Sequence, residues 1–264
     1  MKKPKIALVL SGGSALGFAH LGVLQELLAE GIRPDIVVGT SMGAVVGGGY
    51  ACGLSVDEMI SFANKMRLSK FFDINFKPMG VFGGNKVAKL LTKVYGDTTI
   101  TDCICDFATI SCDIITGNEV VLHEGRVIDM VRASMNIPGL LVPISYQDML
   151  LVDGGMVNNY PDDVAKDLGA DIVIGVDVLR ESYPGVKPKN SIMAIFNSMH
   201  IAQNTIYKYK PSYSDIVLTP VLKGIDQSSY NSTAIQNAII EGRRECKSKM
   251  ENIKAIISHW REDK

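Results

Sequence analysis

The chain has 264 residues, 47% of them hydrophobic, and a formal net charge of −1. That length and apolar content suit one large α/β domain with a buried core and exclude a disordered chain. The near-neutral charge gives no electrostatic footing for nucleic acid, and no apolar run approaches the length of a membrane span.

Strands are predicted at residues 5–10, 35–39, 106–113, 119–122, 149–152, 171–178 and 215–219. Helical patterns fill 17–30, 43–52, 56–67, 85–95, 126–134, 161–168, 191–209 and 233–260. The lysine-rich start followed by Ile6-Ala7-Leu8-Val9-Leu10 looks superficially like a signal peptide. Its apolar stretch is short and runs straight into Ser11-Gly12-Gly13, so it reads as the first buried strand of a cytoplasmic protein. Ile36-Val37-Val38 and Ile172-Val173-Ile174-Gly175-Val176 are apolar on both faces, as strands between two helix layers should be. Ser55-x-x-Glu58 is a capping box. The alternation predicts a three-layer α/β/α fold with a mostly parallel central sheet, in a single domain spanning 1–264 whose part from 185 onward is mainly helical. Five cysteines, at 52, 103, 105, 112 and 246, form no C-x-x-C pair and read as free thiols.

Gly39-Thr40-Ser41-Met42-Gly43 is a G-x-S-x-G pentapeptide between an apolar strand and a small-residue helix. That order builds a nucleophile elbow, in which a strained turn lifts the serine hydroxyl clear of the sheet at the positive end of a helix. Ser11-Gly12-Gly13-Ser14-Ala15-Leu16-Gly17 lies between the first strand and the first helix. Its small residues let backbone N–H groups converge, either on a phosphate or on the oxyanion of an acyl transfer. The dinucleotide and Walker spacings both fail here.

A serine nucleophile needs a base. His123 falls on a solvated hairpin edge, while His200 and His259 fall within long helical patterns. All three read as structural, and His20 reads as a helix-packing residue one turn from the glycine loop. Asp153-Gly154-Gly155 instead follows the apolar run Met149-Leu150-Leu151-Val152, so its carboxylate emerges at a strand end, where α/β sheets bind ligands. A plain Asp-Gly turn would look the same.

The glycine loop, the Ser41 elbow and Asp153-Gly154-Gly155, in this order, resemble the patatin-like phospholipase family, specifically its small bacterial members. The likeness continues in Gly17-Phe18-Ala19-His20-Leu21-Gly22-Val23-Leu24, in Ala133-Ser134-Met135-Asn136-Ile137-Pro138-Gly139 and in Gly169-Ala170-Asp171-Ile172-Val173-Ile174-Gly175-Val176-Asp177. The resemblance implies a Ser–Asp dyad with no histidine: Ser41 as nucleophile, Asp153 as general base, and the amides of Gly12, Gly13 and Ser14 as the oxyanion hole. Gly17, Gly39, Gly43, Gly154 and Gly155 are the supporting glycines of these motifs. It further implies hydrolysis of phospholipid, lysophospholipid or neutral-lipid esters, with no metal or cofactor. Two residues depart from the family pattern. Ser14 replaces the third glycine of the loop, and Leu16 stands where a basic residue is usual, which removes a cation near the site.

Met42, Ile137, Pro138 and Leu140 are expected to give the site an apolar lining that raises the Asp153 pKa. Residues 68–84, with Phe71, Phe72, Phe76, Met79 and Phe82, suit either a lid over an acyl groove or an irregular loop tucked into the core. The helix over 233–260 gathers Ile235, Ile239, Cys246, Met250, Ile253, Ile257 and Trp260 on one face, fit for packing on the domain or on a second copy, or for transient contact with a membrane surface. Two other functions remain open: an acyltransferase or thioesterase built on Ser41, and a catalytically silent regulatory protein of the same fold.

Overall fold

The structure is a computed structural model that describes residues 3–65, 74–77, 79–180 and 187–260. Its strands are β1 (Ile6–Leu10), β2 (Ile36–Thr40), β3 (Ile74–Lys77), β4 (Gly80–Phe82), β5 (Asp106–Asp113), β6 (Glu119–Leu122), β7 (Gly139–Leu141), β8 (Ile144–Tyr146), β9 (Met149–Asp153), β10 (Ile172–Val176) and β11 (Ile216–Leu218). Its helices are α1 (Ala19–Ala29), α2 (Met42–Ala51), α3 (Val56–Lys65), α4 (Asn85–Tyr95), α5 (Val127–Ser134), α6 (Asp162–Asp167), α7 (Ser191–Tyr207) and α8 (Ser232–His259). Short 3-10 turns at Ser14–Phe18 and Gly154–Met156 follow the first strand and β9.

The main sheet has parallel strands in the order β11-β10-β1-β2-β5. Both of its faces are covered, because successive side chains of each strand point to opposite sides. Leu8, Leu10 and Val37 enter the larger core with residues of α1, α2, α3, α4, α5 and α8. Ala7, Val9, Ile36 and Val38 enter a second core with Val164 and Ala165 of α6. The fold is mixed α/β, a central sheet flanked by helices.

One feature of this sheet positions the site. Along β5, β2 pairs in parallel as far as Thr40↔Ile110, and β9 pairs antiparallel from Ser111↔Asp153 onward. Ser111 also pairs with Val120 of β6, so β6 holds the opposite edge of β5 and β9 lies on the same edge as β2. The C-terminal ends of β2 and β9 therefore meet head to head on one strand.

The long helix α8 spends its apolar face inside the molecule. Ile235, Ile239, Cys246, Met250 and Ile253 are buried in the core shared with α1, so that face is not available to a membrane or a second copy. In the region read as a lid or an irregular loop, residues 68–73 and 78 lie outside the described residues. The rest carries β3 and β4, which join β7 in a small three-stranded sheet. Met79 is exposed. The Ser55–Glu58 capping box forms, with the Glu58 N–H donating to Ser55 Oγ at 3.2 Å and the Ser55 N–H donating to Glu58 Oε2 at 2.9 Å. All five cysteines are free thiols.

Candidate active site

Ser41 is the residue between β2 and α2, with φ 53° and ψ −117°. A non-glycine residue with positive φ is strained by steric clash, and such strain persists only where the surroundings enforce it. The enforcement here comes from glycines. A Cβ on Gly39 would overlap the backbone of Gly43, and one on Gly43 would overlap the Leu10 carbonyl, so helix and strands close on each other only without side chains. The Ser41 N–H donates to Ser134 Oγ at 3.0 Å, and the buried Ser134 closes α5. Ser41 thus sits at the N-terminus of α2, where the helix dipole favours developing negative charge.

Asp153 ends β9 and is 2% exposed. Its Oδ2 accepts the Ser41 hydroxyl at 2.7 Å, and its Oδ1 accepts the Gly155 N–H at 2.8 Å. Burial pushes the carboxyl up to about 6, with the two hydrogen bonds partly opposing it. Gly154 turns the chain against Ile110, where a Cβ would overlap the Ile110 carbonyl.

The glycine loop borders the same cleft. Gly13, Ser14, Ser41, Asp153 and Asn159 line it together with Leu179, Phe196, Met199, Gln203 and Gln227. Its apolar walls are Leu179, Phe196 and Met199, in place of the expected Met42, Ile137, Pro138 and Leu140. Gly12 is already committed: its N–H donates to the Asn159 carbonyl at 3.1 Å. Among the described residues, the N–H groups of Gly13 and Ser14 have no partner, so the expected donors narrow from three to these two. Gly17 makes room for the Met42 side chain, which a Cβ there would meet.

Sequence reasoning missed the clamp that fixes this loop. Asn159 Nδ2 donates to the Gly12 carbonyl at 3.3 Å, and Gln203 Nε2 bridges Asn159 Oδ1 at 3.3 Å and the Gly155 carbonyl at 3.1 Å. Asn159 follows Asp153-Gly154-Gly155 closely enough to have been suspected; Gln203, inside α7, carries no local signal. The contact of Ser134 with the Ser41 N–H was missed as well.

The histidines lie elsewhere. His20 Nε2–H donates to the Ser11 carbonyl at 2.8 Å, and burial lowers its pKa to about 4, so it stays neutral and braces the loop. His200 Nδ1 lies 3.4 Å from Gln227 Nε2, while His123 and His259 are exposed. Among the described residues, no histidine hydrogen-bonds to Ser41 or Asp153. Leu16 is buried in the larger core, and among the described residues no lysine or arginine lines the cleft.

A separate cavity of about 300 Å³ runs along the outer side of α2, from Met42 past Val45 and Val46 to Gly49. Leu21, Met59 and Phe62 are among its apolar walls, with Glu58, Lys65 and Lys93 among its polar lining.

A family model described as patatin-like phospholipase matches residues 8–166, more than half of the chain and both members of the Ser41–Asp153 pair. The chain belongs to the patatin-like phospholipase family. An uncharacterized NTE family protein of Mycobacterium tuberculosis is 35% identical over 181 residues, which cover 68% of this chain and 31% of that protein. Lysophospholipase nte1 of Emericella nidulans is 32% identical over 238 residues, covering 88% of this chain and 15% of that protein. This patatin-like chain thus spans less than a third of the length of these relatives. VipD from Legionella pneumophila shares the fold with a TM-score of 0.67 at 13% identity, covering 95% of this chain and 67% of that one. No described helix is long and apolar enough to cross a membrane.

Proposed function

We propose that this chain is a single-domain serine hydrolase that cleaves carboxylic esters of lipids, phospholipids or lysophospholipids through a Ser41–Asp153 dyad. The observation that carries the reading is the 2.7 Å bond from Ser41 Oγ to a buried Asp153 carboxylate, made by a serine with φ 53°. A nucleophile and a base within hydrogen-bond reach, on a strained turn, have the geometry acyl transfer needs. The family and the lysophospholipase relative support the lipid ester as substrate.

In the first step Asp153 Oδ2 takes the hydroxyl proton as Ser41 Oγ bonds to the ester carbonyl carbon. The carbonyl π electrons move to oxygen, and the N–H groups of Gly13 and Ser14, with the N-terminus of α2, hold the oxyanion. Collapse breaks the carbon–oxygen ester bond, and the leaving alkoxide takes the proton from Asp153. Water then repeats the sequence on the acyl-Ser41 ester, with Asp153 accepting the water proton and returning it to Ser41 Oγ. A carboxyl near pKa 6 is a better base than an ordinary aspartate and still ionised at neutral pH.

The cavity along α2 supplies a site for the acyl chain. Its volume of about 300 Å³ is at the lower end for ligand pockets, and its lining includes Met42, the residue that follows Ser41 in sequence. Lys65 and Lys93 among its lining suit transient contact with a membrane surface.

A fluorophosphonate probe and a lysophospholipid panel test the reading together. Labelling at Ser41 and release of free fatty acid, both lost in Ser41→Ala, are expected. Labelling without turnover of any oxygen ester, alongside cleavage of acyl thioesters, would favour the thioesterase instead.

A further inference from the structure

Ser14 occupies the position where the family pattern has a third glycine, and it has φ 49°. That region disfavours a side chain and costs glycine nothing. A segment from far along the chain meets the loop at this point. Ser14 Oγ and the Tyr230 hydroxyl share a hydrogen bond of 2.9 Å. The Ala15 N–H donates to the Gln227 carbonyl at 3.0 Å, and the Phe18 ring stands edge-on to the Tyr230 ring with centroids 5.8 Å apart. Burial, with a contribution from the Asp153 carboxylate, pushes the Tyr230 phenol up to about 12, so its O–H persists at neutral pH. Ser14 and Gln227 line the cleft over Ser41.

We propose that Tyr230 is a positioning residue that, through the Ser14 hydroxyl, holds a non-glycine residue in the left-handed conformation aiming the Ser14 N–H at the reacting ester. The inference rests on the ester-hydrolase reading, because that N–H has a task only when an oxyanion forms beside Ser41. It goes beyond that reading in pairing two residues of this chain. Serine at position 14 needs the hold, and glycine there would not.

Five proteins test the pairing: the unsubstituted chain, Tyr230→Phe, Ser14→Ala, Ser14→Gly and the Tyr230→Phe/Ser14→Gly double variant. Each is assayed for kcat and KM on a short-chain aryl ester and for its thermal midpoint. Tyr230→Phe keeps the ring and its packing on Phe18. It is expected to lower kcat about three- to tenfold, the worth of one hydrogen bond, with KM nearly unchanged. The same substitution in the Ser14→Gly background is expected to change kcat by less than about twofold. Ser14→Ala removes the hydroxyl but keeps the Cβ, so it falls as far as Tyr230→Phe and stands in for it should that variant not fold. An equal loss in both backgrounds overturns the proposal, as does a lowered thermal midpoint with kcat intact. Silence from the unsubstituted chain overturns the hydrolase reading itself, and the positioning role falls with it.

Discussion

Ser41 and Asp153 stand 112 residues apart in sequence, yet the Ser41 hydroxyl donates to Asp153 Oδ2 at 2.7 Å. The contact follows from the head-to-head meeting of β2 and β9 on β5, where Thr40 pairs with Ile110 and Asp153 with the next residue, Ser111. Removing either partner should remove the chemistry while the strands remain. Ser41→Ala and Asp153→Asn are each expected to lower kcat on an aryl ester by at least about 10³-fold, with circular dichroism unchanged. Near-wild-type turnover by Asp153→Asn would rule out the dyad.

In the proposed dyad, the raised pKa of Asp153 is expected to set the acid limb of activity. With the free carboxyl near 6, kcat/KM should fall about tenfold per pH unit below pH 6 and level off above pH 7. A rate profile flat from pH 5 to pH 8 would assign the base elsewhere.

The same shift has a consequence for stability. Asp153 has a pKa of about 6 in the fold and an ordinary carboxylate value when unfolded. The folded state therefore binds the proton more tightly. The stability this contributes is present in full below about pH 4 and is lost as pH rises through 6, costing on the order of 3 kcal/mol by neutral pH. Asp153→Asn should accordingly raise the thermal midpoint at pH 7 and leave it nearly unchanged at pH 4. An equal change at both pH values would show that the carboxylate charge is not the cause.

Ser134 supports the elbow from α5. Its hydroxyl is fully buried and accepts the Ser41 N–H at 3.0 Å. Ser134→Ala leaves that amide without its partner, at a cost of about 1–3 kcal/mol in stability. The expected signature is a lowered urea midpoint together with a lowered kcat. A loss of stability with kcat unchanged would confine Ser134 to a structural role.

The cavity along α2 makes a prediction about chain length. Each methylene buried there is worth about 0.8 kcal/mol, so kcat/KM should rise about fourfold per CH₂ until the cavity fills. Val46 is buried and lines the cavity, and Val46→Phe should lower the ratio of long-chain to short-chain rates. The measurement is a series of p-nitrophenyl esters, and an unaltered ratio would place the acyl chain elsewhere.

Much of this molecule is legible in its residue order. All eight described helices and the longer strands answer to local patterns, since apolar periodicity, capping residues and turn glycines act over a few neighbours. The strands that escaped, β3, β4, β7 and β8, are three or four residues each, which leaves alternation little length to register. The elbow was legible for the same reason: Gly39, Ser41 and Gly43 fall within five residues, and the strain they create is local. Asp153 stood out at a strand end, but its pairing with Ser41 rested on resemblance until β5 brought the two strand ends together.

The amino-acid sequence alone determined the Ser41 elbow, the glycine loop and the layered α/β architecture, because each is written in residues that neighbour one another. Tertiary structure alone decided which amides of that loop stay open and what holds them. Gly12 is claimed by Asn159, and Ser14 is tied to Tyr230, partners 147 and 216 residues away. Hydrogen bonds across such separations depend on chain closure through the whole sheet, and no local pattern encodes them.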